Sequence, residues 1–71
     1  MLQAFRRELM AALQFLLEYP EGAPRLDNHF RVKVIRGFPY SLVYRVRADE
    51  IFVVAVANQH ADPAGVLDRL R

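Results

Sequence analysis

The sequence predicts an α+β fold: one amphipathic N-terminal helix packed on a three-stranded antiparallel meander, with a short C-terminal helix to finish it. Three observations predict it. Residues 2–18 place Leu2, Phe5, Leu9, Ala12, Leu13, Leu16 and Leu17 at helical spacing, while Gln3, Arg7, Gln14 and Glu18 fall on the other side. Residues 29–58 hold three runs rich in β-branched and aromatic residues, separated by Gly37-Phe38-Pro39 and by Ala48-Asp49-Glu50. Asp62-Pro63 then offers an N-cap and a first-turn proline ahead of Val66, Leu67 and Leu70.

Composition bounds the answer. A chain of 71 residues makes a single domain, 1–71, near the lower edge of independent stability, so association is expected to matter. At 54% hydrophobic it is too apolar for disorder. No apolar run approaches the roughly 18 residues of a membrane span. Without cysteine, neither disulfides nor a thiolate metal site supplements the core. Met1-Leu2-Gln3 leads straight into the helical pattern without the apolar region of a signal peptide, so the cytoplasm is the expected location. The net charge is only +2, yet residues 25–47 carry Arg25, Arg31, Lys33, Arg36, Arg45 and Arg47 against the single acid Asp27. An anionic partner is therefore sought on the sheet.

The first helix ends at Tyr19-Pro20, because proline disfavours a helical residue before it, and Gly22 is suited to positive φ in the turn that follows. Met10 and Phe15 widen the apolar stripe, either as a broad core face or as a surface for a second protein.

In the first hairpin, a three-residue loop at Gly37-Phe38-Pro39 sets Arg36 opposite Tyr40 and places Phe30, Val32 and Val34 on the core face. The other face then carries Arg31 across from Arg45, with Lys33 and Arg47 nearby. Opposed like charges destabilise a strand pair, so the pattern points to an acidic or phosphate-bearing partner, or else to side chains that splay into solvent and blunt aggregation.

The second hairpin turns at Ala48-Asp49-Glu50, and its return strand, residues 51–57, is apolar throughout. A half-buried strand alternates; this one does not. It is expected to be covered on both faces or to lie between two neighbours. Three occupants fit: a strand from another chain, a partner docked over Ile51, Val53 and Ala55, or the C-terminal tail folded back.

Catalytic and ligand motifs are sparse. His29 and His60 lie far apart with no carboxylate at metal-ligand spacing, and Gly22, Gly37 and Gly65 form no phosphate-cradling loop. Ser41, the lone serine, stands on a strand with nothing marking it as a nucleophile. No metal or cofactor is expected.

The residues Phe38-Pro39-Tyr40-Ser41-Leu42-Val43-Tyr44-Arg45-Val46, followed by the apolar run 51–57 and Asp62-Pro63, carry a resemblance. This pattern resembles the RelE/ParE toxin superfamily of bacterial toxin–antitoxin systems, and Phe-Pro-Tyr with a tyrosine four residues on is similar to its ParE branch, the plasmid stabilisation proteins. The likeness spans about residues 5 to 71. It implies a helical hairpin on an antiparallel sheet, here without the family's first strand and first helix, so the chain reads as a truncated or minimal version.

The resemblance also implies functions. One branch comprises ribosome-dependent mRNA endonucleases that use basic side chains on the sheet to position RNA and stabilise charge at the phosphate. Arg31 and Lys33 match two such positions, and Arg45 and His60 complete the weak catalytic candidates; a further arginine of that branch corresponds to Ser41, and its C-terminal tyrosine falls near Val66 or Leu67. That constellation is largely absent, so enzyme activity is not the expectation. The ParE branch implies a gyrase poison that acts by protein binding, with DNA gyrase as target and a cognate antitoxin as partner. The partner-binding residues are then Arg31, Lys33, Arg45, Arg47, Ile51, Val53 and Ala55. The alternative is a non-toxic homodimeric interaction module, and RNA is the weakest of the partners.

Overall fold

The computed structural model describes residues 2–59; His60 and the helix expected at 62–70 lie outside the described residues. Within them the chain forms one helix, α1 (Leu2–Glu18), and three strands, β1 (Arg31–Val34), β2 (Tyr40–Arg47) and β3 (Glu50–Asn58). The strands make an antiparallel sheet in the order β1-β2-β3. The α+β arrangement read from the sequence is the one observed.

The helix forms because its apolar positions recur on one face, where Ala12 and Leu16 are buried and Phe5, Leu9 and Leu13 pack beside them. It stops before Pro20. The Tyr19 amide still bonds the Phe15 carbonyl at 2.8 Å, and the Gly22 amide then bonds Tyr19 at 2.9 Å, turning the chain down toward the sheet. Gly22 is not at positive φ, contrary to the sequence expectation. A Cβ there would lie 2.9 Å from the Phe15 ring, so close approach is what demands glycine.

The first hairpin departs from the predicted register. The Ile35 amide bonds the Tyr40 carbonyl at 2.9 Å, which makes a four-residue loop at 36–39 with Gly37 at φ 80°. Arg31 therefore pairs with Tyr44, Val32 with Val43, Lys33 with Leu42 and Val34 with Ser41. One residue of slip sends every β1 side chain to the other face. The cause lies at the loop: this register buries Ile35 completely and sets Phe38 edge-on to Phe5, ring centroids 5.1 Å apart, beneath the helix.

The second hairpin is tighter than predicted. Its loop is Ala48 and Asp49 alone, at φ 52° and 63°, and Glu50 already pairs with Arg47. Positive φ at both central residues belongs to the type I′ turn, whose twist matches that of the flanking strands. Farther along, the register shifts between Val43 and Tyr44, leaving Val54 as the extra residue of a β-bulge.

Packing occurs on both faces of the sheet. Under the helix, Ala12, Leu16, Ala23, Ile35, Leu42 and Tyr44 form the main core. On the other face Val43 and Ala57 are buried with Leu26, Phe30, Val54 and Ala55 around them. The segment before β1 reaches that side by an Asx-type turn, in which Asp27 Oδ1 accepts from the amides of His29 (2.8 Å) and Phe30 (2.9 Å). Strand β2 is thus buried at four successive positions, Ser41, Leu42, Val43 and Tyr44.

Candidate protein-binding edge

Strand β3 is an edge of the sheet formed by the described residues, and both of its faces are covered in part, Ile51 packing in the main core and Val54, Ala55 and Ala57 in the second. In an antiparallel pair, alternate residues bond the partner strand. The tight turn closed by Arg47 and Glu50 fixes that phase at one end, and the Gln59 amide bonded to Pro39 at 2.8 Å fixes it at the other. Ile51, Val53 and Val56 consequently turn their backbone N–H and C=O groups outward. Phe52, Val53 and Val56 are exposed at 43%, 44% and 55%. Natural sheets usually blunt such an edge with charge or proline; apart from the bulge, β3 carries only Glu50, at its start.

The bulge also rearranges the predicted binding face. Ile51, Val53 and Ala55 do not share a side. Ile51 and Val53 stand opposite Val46 and Tyr44 on the helix face, whereas Ala55 stands opposite Val43 in the second core. Val56, opposite Leu42, takes the place expected for Ala55.

Along the same side runs an apolar flank of α1. Glu8, Ala11 and Ala12 border a groove with Lys33, Val34 and Arg36, so that side of the helix faces β1. At 100° per residue, Met10, Leu13 and Leu17 fall on the opposite flank, toward β3. Met10 and Leu17 are 57% and 68% exposed, and Leu13 is half-buried. Met10 thus lies on the exposed flank, while Phe15 is half-buried against Gly22 and Tyr19.

The basic cluster expected on one face is split by the register. Arg31 and Lys33 point to the helix side, where Arg31 Nη1 donates to the Ala23 carbonyl at 2.8 Å and to Glu21 at 3.2 Å, and Lys33 Nζ lies 4.3 Å from the Phe15 ring centroid. Arg45 and Arg47 share the other face. Arg45 lies against Phe30, 5.8 Å from its centroid, with its Nε buried and without a hydrogen-bond partner, while Arg47 is exposed. Arg31 and Arg45 are not opposed, so the repulsion inferred between them does not arise.

Two further features were invisible in the sequence. The Tyr44 hydroxyl donates to the Pro20 carbonyl at 2.8 Å, and burial raises its pKa above the usual tyrosine value, the nearby Arg31 charge partly offsetting that. A hollow of about 600 Å³ lies where Glu18, Tyr19, Glu21, Val46 and Asp49 meet. Its three carboxylates suit no anionic substrate. Among the described residues no group of three His, Cys, Asp or Glu is placed to hold a metal ion, and no helix is long and apolar enough to cross a membrane.

No family model, curated protein or solved structure matches this chain.

Proposed function

We propose that the chain is a toxin-like component of a bacterial type II toxin–antitoxin system, similar to the ParE branch of the RelE/ParE superfamily, acting in the cytoplasm by binding protein. The observation that carries this reading is the open apolar edge of β3. A polypeptide segment that adds one strand there gains main-chain hydrogen bonds at Ile51, Val53 and Val56, and covers the two valines. An antitoxin segment is the occupant that the family likeness implies, with DNA gyrase as the target. A ribonuclease has less support, because Arg31 is engaged with loop carbonyls and Lys33 with Phe15, away from the face of Arg45 and Arg47. The exposed flank of α1 favours a second reading, the non-toxic homodimeric module.

Controlled expression of the chain, alone and with any adjacent gene, tests the proposal. Growth arrest with a DNA-damage response, relieved by a co-expressed antitoxin, is the expected result. Arrest with cleaved mRNA would restore the nuclease. Full growth with well-expressed, folded protein would refute the toxin and leave the homodimeric module.

A further inference from the structure

We infer that the free chain is a symmetric dimer in which β3 pairs antiparallel with β3 of a second copy, making one six-stranded sheet. This rests only on that part of the functional reading which takes β3 for a protein-binding edge; it does not need the chain to be toxic.

Identical edge strands that pair antiparallel are related by a two-fold axis perpendicular to the sheet, so both helices lie on the same face. That one operation brings together two exposed apolar surfaces, the edge of β3 and the flank of α1. The outward backbone groups of Ile51, Val53 and Val56 meet their counterparts across the axis. The flank of α1 that carries Met10, Leu13 and Leu17 lies on the β3 side, so it faces the equivalent flank of the partner helix over the exposed Val53 and Val56 of both copies.

Spacing is consistent with this. Helix α1 packs over β2 at Leu42 and Tyr44. The two β2 strands in such a sheet are three strand spacings apart, roughly 14 Å. Helices in direct contact lie about 8–10 Å apart. The trough between them is thus a few ångströms wider than bare helix packing requires, and long unbranched or γ-branched side chains such as Met10 and Leu17 span that excess from both sides. Its floor is the four valines.

Other occupants cover less. A single foreign strand would satisfy the backbone edge but leave Met10 and Leu17 in water, whereas a second copy covers edge and flank together. Specific, stable interfaces generally need more than about 1,000 Å² of buried surface, which an edge strand alone scarcely provides in a domain this small. Charge is confined to the ends of the interface: Arg6 lies one turn before Met10 on the same helix flank, and Glu50 and Arg47 stand at the turn of the hairpin, away from the centre. A consequence follows for the functional reading, since an antitoxin strand and the second copy would compete for the same edge.

The test uses the full chain in sedimentation velocity between about 1 and 100 µM, a span that brackets dissociation constants typical of small dimers, with hydrogen exchange read at single amides. The expected result is a dimer whose Ile51, Val53 and Val56 amides are protected at high concentration and exchange on dilution. Val56→Lys at the edge and Leu17→Glu on the helix flank alter exposed side chains, so helix and sheet content should persist. Each should weaken the dimer by at least about thirty-fold, the change expected at a central interface position. A chain that stays monomeric at the highest concentration overturns the inference; if its edge amides are protected nonetheless, the occupant is residues 60–71 of the same chain. A dimer indifferent to both substitutions forms through another surface. A dimer sensitive to Val56→Lys but not to Leu17→Glu would rule out the helix-to-helix arrangement. None of these outcomes depends on growth arrest, so loss of the dimer and loss of the toxin reading are separate results.

Discussion

Replacing Arg31 by methionine keeps most of the aliphatic stem and removes the guanidinium, and it separates two roles for this residue. In the structure Arg31 Nη1 holds the carbonyl of buried Ala23 at 2.8 Å and the more exposed carbonyl of Glu21 at 3.2 Å. These bonds pin the turn that follows α1 to the first strand, beside the Tyr44 hydroxyl on Pro20. A hydrogen bond from a charged donor to a partly buried carbonyl contributes about 1.5–3 kcal/mol, and one near solvent contributes little. The expected loss is therefore roughly 2 kcal/mol, nearly all from Ala23. For a domain this small that corresponds to a fall in Tm of roughly 8–16 °C. Urea denaturation followed by far-UV circular dichroism measures it, and an unchanged m-value would show that the unfolded state is unaffected. Arg47→Met, on the exposed end of β2, should change stability by less than about 0.5 kcal/mol. A stable Arg31→Met variant that nevertheless lost affinity for a protein partner would refute the structural assignment and return Arg31 to the binding surface.

Three further outcomes follow from the local geometry. Ala48→Asn with Asp49→Gly supplies residues suited to positive φ and should stabilise the chain by about 1 kcal/mol, read as a higher urea midpoint; a decrease would contradict the type I′ turn. Gly22→Ala drives a methyl into the Phe15 ring and should cost about 1–3 kcal/mol, with part recovered when Phe15→Leu is added. Tyr44→Phe should cost about 1 kcal/mol near neutral pH through the lost bond to Pro20. Because burial raises the Tyr44 pKa, its protonated form contributes stability that is complete below the unfolded tyrosine value of about 10 and is lost as pH rises through the folded value. The Phe variant should consequently show a shallower decline in alkaline denaturation, and an identical decline would place the titration elsewhere.

The helix was legible because its stripe has a single period and a proline to close it. The first hairpin was not, and the reason is physical. Residues 30–35 alternate as Phe30, Val32, Val34 against Arg31, Lys33, Ile35. Hydropathy assigns the first set inward, but both faces of this sheet are covered, so alternation does not say which set meets the helix. The choice is made by Ile35 and Phe38 at the loop, with Arg31 and Lys33 lying on the helix side through a carbonyl and an aromatic ring. The binding residues followed the register: a cluster read as Arg31, Lys33 and Arg45 is two separate groups. The apolar run 51–57 correctly marked a strand with unusual surroundings, yet it held no signal for the bulge, because seven apolar residues in succession have no phase to interrupt.

That interruption gives β3 a mutational signature. Ahead of Val54, residues 51 and 53 look toward the helix; beyond it, residue 56 does. A scan of polar substitutions along the strand should therefore show an every-second-residue pattern of tolerance that jumps by one position midway. Paired without the bulge, the same strand would bring Ala55 and Ala57 under the helix and turn Val56 away, whereas deleting Val54 should heal the ladder and leave all three on their present faces. The extra residue is thus a phase shifter, and it lets one uninterrupted apolar segment serve two differently shaped cores.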